Sequence, residues 1–166
     1  MGLWPLPVIA MPQQAGAVLG EVESAADEPV TVLSEDESWD RLASVALGRL
    51  VASVGGQPEI FPVNFVVQDR TVLFRTSEGT KLFAAVASNR VAFEADDHSV
   101  AEGWSVIVKG RAQVLRTGAE IEKAERAQLV PWIATLKLHY VRVIPYEITG
   151  RHFRFGPEPD RHSTFA

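Results

Sequence analysis

The sequence predicts a single mainly β (α+β) domain, a small closed or partly open barrel of about six antiparallel strands with two or three peripheral helices. Turn signals recur at short intervals between apolar runs, as at Gly55-Gly56 and Gln68-Asp69-Arg70. The strands do not alternate regularly with helical segments, which disfavours a parallel nucleotide-binding fold. Because so small a barrel is filled by its own side chains, we expect a ligand on its outside or at a subunit interface.

Composition excludes several classes of function. The 166 residues carry a net charge of -5 without a basic cluster, which argues against nucleic acid as a partner. There is no cysteine, so disulfides, thiol catalysis and thiolate metal sites are excluded, and this absence fits a reducing cytosol. No apolar run approaches the roughly 20 residues that span a bilayer. We therefore expect a cytoplasmic protein that acts on a small molecule.

The two ends of the chain differ from its middle. Residues 1–29 begin with a proline-interrupted apolar stretch that lacks the basic segment of a signal peptide, and they continue as small and acidic residues. We interpret them as a flexible extension that crosses a partner subunit. Residues 157–166 are predicted to be a loose tail. The folded domain is therefore expected over residues 30–156.

The first elements of this domain have local signals. Ser34 and Glu37 form a capping box at the start of a helix, and Gly48 is interpreted as its stop. A strand over 49–54 and the Gly55-Gly56 turn lead into the central hairpin over 58–81. The later elements are predicted as a helix over 81–88, a strand over 90–95, a polar loop over 96–99, a strand over 104–115 with a bulge at Gly110, a helix over 119–129 that Thr117 caps and Pro131 ends, and two strands over 140–149 and 151–155 separated at Gly150.

The end of the central hairpin carries the residues with the clearest chemistry. Two fixed cations and three hydroxyls converge within seven residues: Arg75, Thr76, Ser77, Thr80 and Lys81. Arginine binds a phosphate through two hydrogen bonds, lysine adds a point charge, and hydroxyls donate. The same residues also fit a solvated turn in which Ser77 or Thr80 caps a helix. The pattern alone leaves both interpretations open.

An ordered set of short motifs runs along most of the chain. They are Phe61-Pro62-Val63-Asn64-Phe65, Arg75-Thr76, Gly79-Thr80-Lys81, Phe93-Glu94, Gly103-Trp104-Ser105-Val106, Lys109-Gly110-Arg111-Ala112 and Pro131-Trp132. This set, over residues 32–155, resembles the pyridoxamine 5'-phosphate oxidase-like family of flavin-binding proteins, and in particular its small bacterial and actinobacterial branch. The resemblance implies a split β-barrel homodimer with two FMN molecules in clefts between the subunits.

The resemblance also implies roles for individual residues. The strand containing Pro62, Val63 and Asn64 would lie along the flavin ring, with Val63 and Asn64 as amide donors because Pro62 has no N–H. The hydroxyl and cation cluster would hold the phosphate of FMN. Trp104 and Ser105 would come from the second subunit and border the ring, and Trp132 would either approach the flavin or pack in the core.

No catalytic acid or base is required, because a flavin carries the redox chemistry itself. We expect an FMN-dependent oxidoreductase of unknown substrate or a flavin-binding protein. The alternatives are a reductase that uses the deazaflavin F420, a haem-binding protein and a dimer without cofactor. The histidines form no metal motif. Dimerisation, implied by the resemblance, would use apolar strand faces at Val106, Val108, Ile144 and Ile148, which the sequence alone does not distinguish from core positions.

Overall fold

Seven antiparallel strands and three helices form the fold. A computed structural model describes residues 28–77, 80–87, 90–130 and 137–157, so most of the N-terminal extension and of the C-terminal tail lies outside the described residues. The elements, in chain order, are β1 (Val30–Leu33), α1 (Glu35–Ala43), β2 (Leu47–Val54), β3 (Gln57–Gln68), β4 (Thr71–Thr76), α2 (Lys81–Ala87), β5 (Arg90–His98), β6 (Glu102–Val114), α3 (Gly118–Glu125) and β7 (His139–Arg154).

The strands form one curved sheet in the order β1-β7-β4-β3-β2-β5-β6. A further pairing of β6, at the end of this order, with β7 closes the sheet into a barrel. All pairings are antiparallel. The predicted fold class, an antiparallel split barrel with peripheral helices, is confirmed. The strand that exceeds the predicted count is β1, a short and largely exposed strand that pairs with the end of β7.

The predicted capping box at Ser34 and the predicted cap at Thr117 are both present, and Thr117 also forms a full capping box. The Ser34 side chain accepts the backbone N–H of Glu37, and the Glu37 carboxylate accepts the backbone N–H of Ser34. Thr117 and Glu120 repeat this exchange at the start of α3. Each box satisfies N–H groups that the first helical turn leaves without intrahelical acceptors.

Both predicted hairpins are also present, with two-residue turns. Gly55 and Gly56 have φ angles of 58° and 81°, and Asp69 and Arg70 have φ angles of 50° and 52°. Positive φ at both central residues is the geometry whose twist matches that of the flanking strands. For Asp69 and Arg70 the side chains tolerate this region less well than glycine does, but their ion pairs with Lys123 and Glu35 hold them at the turn.

The last part of the chain is one strand rather than two. β7 runs without interruption through Gly150, which faces Val106 on one side and Leu33 on the other. A side chain at this position would collide with Ser38 and Leu33, so Gly150 permits the close approach of α1 and β1 and does not break the strand. The predicted separation at Gly150 is therefore wrong, whereas the predicted irregularity at Gly110 is present as a register shift between β6 and β7.

Three other boundaries differ from the prediction. Gly48 lies inside β2, where a side chain would collide with the Phe93 ring, and α1 already ends at Ala43. The predicted polar loop at Asp96 to His98 continues β5, because β6 pairs with it as far as His98. The third helix stops at Glu125, before the predicted end.

The interior of the barrel is a single apolar core. Its largest fully buried side chains include Phe65, Phe74 and Phe93, and the rings of Phe65 and Phe93 meet edge to face at 4.6 Å between centroids. Val106 and Val108 belong to this core with no exposed surface. Their assignment to a dimer face was wrong, because β7 and the barrel interior cover them. Ile144, in contrast, is 45% exposed.

The three helices cover different parts of the barrel. α1 packs against β7, β3 and β6, and α2 packs against β2 and β6. α3 lies on the outer face of the sheet, where Ala124 meets Leu73 and Leu115 in a second, smaller core. Among the described residues, no helix is long and apolar enough to cross a membrane.

Candidate functional site

The two central strands separate at one end, and this separation defines the candidate site. β3 and β4 pair from Gln68–Thr71 to Phe65–Phe74, and the next pair, Asn64 with Arg75, is not formed. From there β3 follows β2 alone, whereas β4 continues along β7 through Arg75 and Thr76. Within the described strands, the edge of β3 over residues 57–64 therefore has no ladder partner opposite β2.

The backbone groups along this open edge follow from the ladder. Phe65 donates its N–H to the carbonyl of Ala46, so the polar groups of Phe65 and Val63 point to β2. Because direction alternates along a strand, the N–H and C=O of Asn64 and the C=O of Pro62 point to the opening. Proline suits this edge because its missing N–H removes no ladder bond. Asn64, rather than Val63, is thus the amide donor that faces the opening.

The Asn64 side chain has a different partner. Its Nδ2 donates to the carbonyl of Val130 at 2.8 Å, which ties the segment after α3 to the opening. Asn64 is half-buried and Val63 is buried, so the side chain of Val63 belongs to the core. The two residues therefore contribute to the site through different groups: Asn64 through its backbone, and Val63 only by packing beneath it.

Arg75 lies on the opposite side of the opening. Its guanidinium carbon is 5.1 Å from the centre of the Tyr140 ring, on the strand that pairs with β4. Such stacking holds an arginine in place without neutralising its charge. The Nε atom is buried and has no hydrogen-bond partner among the described residues. A buried N–H donor without an acceptor is costly, so this atom marks a place where an external acceptor would be stabilising.

The hydroxyl groups of the cluster meet one another. Thr76 is 2% exposed, and its Oγ1 lies 3.3 Å from Oγ1 of Thr80. The Thr80 hydroxyl donates to the carbonyl of Ser77 and accepts the N–H of Phe83, which makes it the cap of α2. The capping interpretation from the sequence is thus confirmed for Thr80. It does not exclude a ligand, because Thr80 itself is exposed.

Lys81 is a largely exposed member of the cluster. Its Nζ lies 3.7 Å from Oε1 of Glu59 on β3, and its side chain is 77% exposed. An ion pair this exposed contributes little to stability and breaks easily. Lys81 is therefore available to an anion at the mouth of the opening.

Trp104 and Ser105 do not join these residues within one chain. Trp104 pairs with His152 and Val114 pairs with Val141, next to Tyr140. The ten residues from Trp104 to Val114 span roughly 30 Å along β6, whereas across β5 and β2 Ser105 is about three strand spacings, roughly 14 Å, from Asn64. Trp104 is 7% exposed and packs in the core, whereas Ser105 is half-buried. Trp132 lies outside the described residues.

A charged cluster lies beside Ser105. Arg49 contacts the carboxylates of Glu94, at 3.2 Å, and Asp96, and Asp96 pairs with Ser105 across the ladder. The pKa of the Glu94 carboxyl is raised above its ordinary value, mainly because burial disfavours its charged form and because Asp96 repels it; Arg49 opposes both effects. The pKa of Arg49 is raised, chiefly by its hydrogen bond to Asp96.

This cluster predicts a pH dependence of stability. A carboxyl whose folded pKa exceeds its unfolded value destabilises the fold once it ionises, so the contribution of Glu94 to stability should fall as pH rises through 4.5 and above. Glu94→Gln removes this loss. We expect the difference in unfolding free energy between this variant and wild type, measured by urea titration, to favour the variant more at about pH 7 than at about pH 4. An equal difference at both pH values would contradict the assignment, and Glu122→Gln, on an exposed carboxylate of α3, is the control.

The separation of β3 and β4 occurs in a chain that matches a family profile over most of its length. The profile, described as pyridoxamine 5'-phosphate oxidase, matches residues 34–152. The chain belongs to this family.

Relatives in the family extend the match. An uncharacterised protein of Mycobacterium tuberculosis is 77% identical over 101 residues, which cover 61% of this chain and 92% of that protein. The FAD binding protein from Mycobacterium smegmatis is 58% identical, with a TM-score of 0.69 over 75% of this chain and 99% of its own. A FAD-binding protein from Mesorhizobium loti is 26% identical, with a TM-score of 0.65 over 74% and 96%.

Some residues of the site were not predicted from the sequence. Tyr140, which supports Arg75, lies 65 residues later in the chain, and the Val130 carbonyl that holds Asn64 lies 66 residues later. No local pattern links these positions, because the contacts exist only once β7 and the segment after α3 are in place. The family match likewise gives no contact at this level.

Proposed function

We propose that this chain binds a flavin nucleotide at the opening between β3 and β4 and acts as a flavin-dependent oxidoreductase on a substrate yet to be found. The observation that carries the proposal is the unformed Asn64–Arg75 pair. It exposes backbone donors and acceptors on one side and presents a stacked arginine with an unpartnered buried Nε, among the described residues, on the other. The relatives named as FAD-binding proteins support the same class of cofactor.

The open edge of β3 fits the ring of a flavin. The pyrimidine end of isoalloxazine presents one N–H donor between two carbonyl acceptors, so the N–H of Asn64 would donate to one of these carbonyls and the C=O of Asn64 or Pro62 would accept the N–H. The side chains of Ile60 and Pro62 share the outer face of β3 and are exposed, with Ile60 at 65%. They offer apolar contact to a planar ring. These residues would bind and orient the flavin, which supplies the electron or hydride transfer when bound.

The cluster at the end of β4 fits a phosphate. Arg75 and Lys81 provide charge, and the exposed Thr80 hydroxyl provides a donor beside them. Thr76 is too buried to touch the phosphate and instead orients Thr80 through the contact between their hydroxyls. Ser77, whose carbonyl accepts from Thr80, holds the bend between the two. The phosphate nearest the ribityl chain is common to FMN and FAD, so these residues serve either cofactor.

The site also requires a second copy of the chain. Within one chain, β5 and β2 lie between Ser105 and β3, a separation of about three strand spacings or roughly 14 Å, and Trp104 packs in the core, so we propose that Ser105 of the partner subunit borders the ring. The exposed Ile60 and Ile107, on the outer sheet face, fit an interface between copies. We therefore propose a homodimer with two flavin sites, each completed by the partner.

Spectroscopy and titration test the proposal directly. We expect the purified protein to show the absorbance of oxidised flavin, or to quench the fluorescence of added FMN or FAD in a saturable way. A protein that stays colourless and leaves both flavins unquenched would contradict it. Bands of a deazaflavin or of haem in the purified protein would instead assign one of the alternative cofactors, because the three chromophores absorb differently.

A further inference from the structure

We infer that a cavity beside the phosphate-binding residues receives the adenylate half of FAD, with Arg111 and Arg116 binding its second phosphate. This inference rests on the proposed flavin site and assigns it a preference for FAD over FMN. The cavity has a volume of about 590 Å³ and lies between α2 and the paired strands β6 and β7. The residues that matter for its chemistry are Phe83, Val86, Arg111, Gln113, Arg116 and Ile144.

The position of the cavity follows from the register of three strands. Thr76 of β4 pairs with His139 of β7, and the N–H of Leu115 donates to the carbonyl of Tyr140. Continuing that register by one residue sets Arg116 opposite His139. Two strand spacings of about 4.8 Å therefore separate the backbones of Thr76 and Arg116 by roughly 10 Å. The second phosphate of FAD follows directly on the first, so it lies within reach of the Arg116 side chain.

The charge of the cavity selects an anion. Arg111 and Arg116 are exposed and take part in no ion pair with the rest of the described chain, although the protein as a whole carries a net charge of -5. The described residues that line the cavity include no aspartate or glutamate. Glu120 lies near the backbone N–H of Arg116, but its carboxylate is engaged by the Thr117 cap. A second opening of about 480 Å³ continues past Arg111 to Arg90.

The apolar wall of the cavity selects an aromatic group. Phe83 packs against the His139 ring at 5.5 Å between centroids, so its ring stands between the phosphate-binding cluster and the cavity. Val86 of the same helix lies beneath it, and Ile144 on the far side is 45% exposed. Aromatic and apolar surfaces of this kind stack on a nucleobase. An adenosine phosphate, and not a bare phosphate, uses both the arginines and this wall.

Flavin binding in wild type and variants tests the inference. We expect wild type to bind FAD more tightly than FMN. Arg111→Gln/Arg116→Gln should weaken FAD at least tenfold, since each charge-assisted bond to phosphate is worth about a factor of ten or more. The same variant should leave FMN within about threefold, because FMN lacks the second phosphate. Lys123→Gln/Arg126→Gln, which removes the same charge from α3, should change neither. Fluorescence quenching measures the dissociation constants of FAD and FMN for all three proteins.

Competition supplies a second readout. Excess AMP, which corresponds to the adenylate half of FAD, should raise the apparent dissociation constant of FAD and leave that of FMN unchanged. Equal weakening of FAD and FMN in the arginine variant, no weakening of either, or AMP competing with both would overturn the inference while leaving the flavin site intact. An organic anion other than FAD that binds wild type and is lost in the variant, with the FAD preference unchanged, would overturn it too. Failure of wild type to bind either flavin would overturn the proposed function itself.

Discussion

Replacement of Phe93 by alanine is expected to lower the free energy of unfolding by about 3–5 kcal/mol. Phe93 has no exposed surface, meets Phe65 edge to face and fills the space above Gly48. Its removal therefore leaves a cavity at the contact of β2, β3 and β5, which cannot collapse because the ladders on both sides hold the strands apart. Such a loss is a large fraction of the roughly 5–15 kcal/mol that a domain of this kind possesses.

Urea unfolding of purified protein measures this effect. Phe155→Ala is the matched control, because Phe155 is the same residue type but 49% exposed, and its removal should cost far less. Phe93→Leu keeps most of the volume and should fall between the two. Equal losses for Phe93→Ala and Phe155→Ala would contradict the position of Phe93 in the barrel core.

Features that depend on neighbouring residues were predictable from the sequence. The capping boxes at Ser34 and Thr117 and the turn at Gly55-Gly56 combine residue types whose conformational preferences act within three or four positions. The family resemblance then gave the split barrel. These two sources together account for the element order and the antiparallel topology.

Features that depend on distant strands were not predictable. Gly48 and Gly150 each carry the signal of a break, but in the fold each occupies a place where a side chain would collide with another element. Val106 and Val108 alternate in the way that any half-buried strand does, and only the closure of β6 onto β7 decides which face is interior. The contacts that made these positions unusual come from residues far along the chain.

The candidate site divides in the same way. The residue types at Arg75, Thr80 and Lys81 fit either a phosphate site or a capped turn from the sequence alone. The structure adds that Thr76 faces inward to hold Thr80 and that the Val63 amide points to β2, because both depend on which neighbour each strand has. The sequence does not distinguish the roles of the five cluster residues. The strand pairing distinguishes the residues that face the opening from Thr76, which is buried behind Thr80.

Replacement of both Arg75 and Lys81 by alanine is expected to weaken FMN and FAD on the order of 100-fold or more while changing riboflavin less than about threefold. Two charge-assisted bonds to a phosphate are each worth about 1.5–3 kcal/mol, and every 1.4 kcal/mol is a factor of ten in the dissociation constant. Riboflavin has the same ring and ribityl chain but no phosphate, so it reports on the ring contacts at Asn64 alone. Fluorescence quenching by the protein measures all three ligands.

The controls for this variant separate charge from structure. Lys123→Ala/Arg126→Ala removes equal charge from α3 and should leave all three ligands unchanged, since α3 contributes no cation to the opening. Arg75→Lys keeps the charge but loses the planar stacking on Tyr140, so it should recover only part of the FMN affinity. If riboflavin weakened as much as FMN in the double variant, Arg75 and Lys81 would act on the ring or on the fold, and the phosphate would have to lie elsewhere.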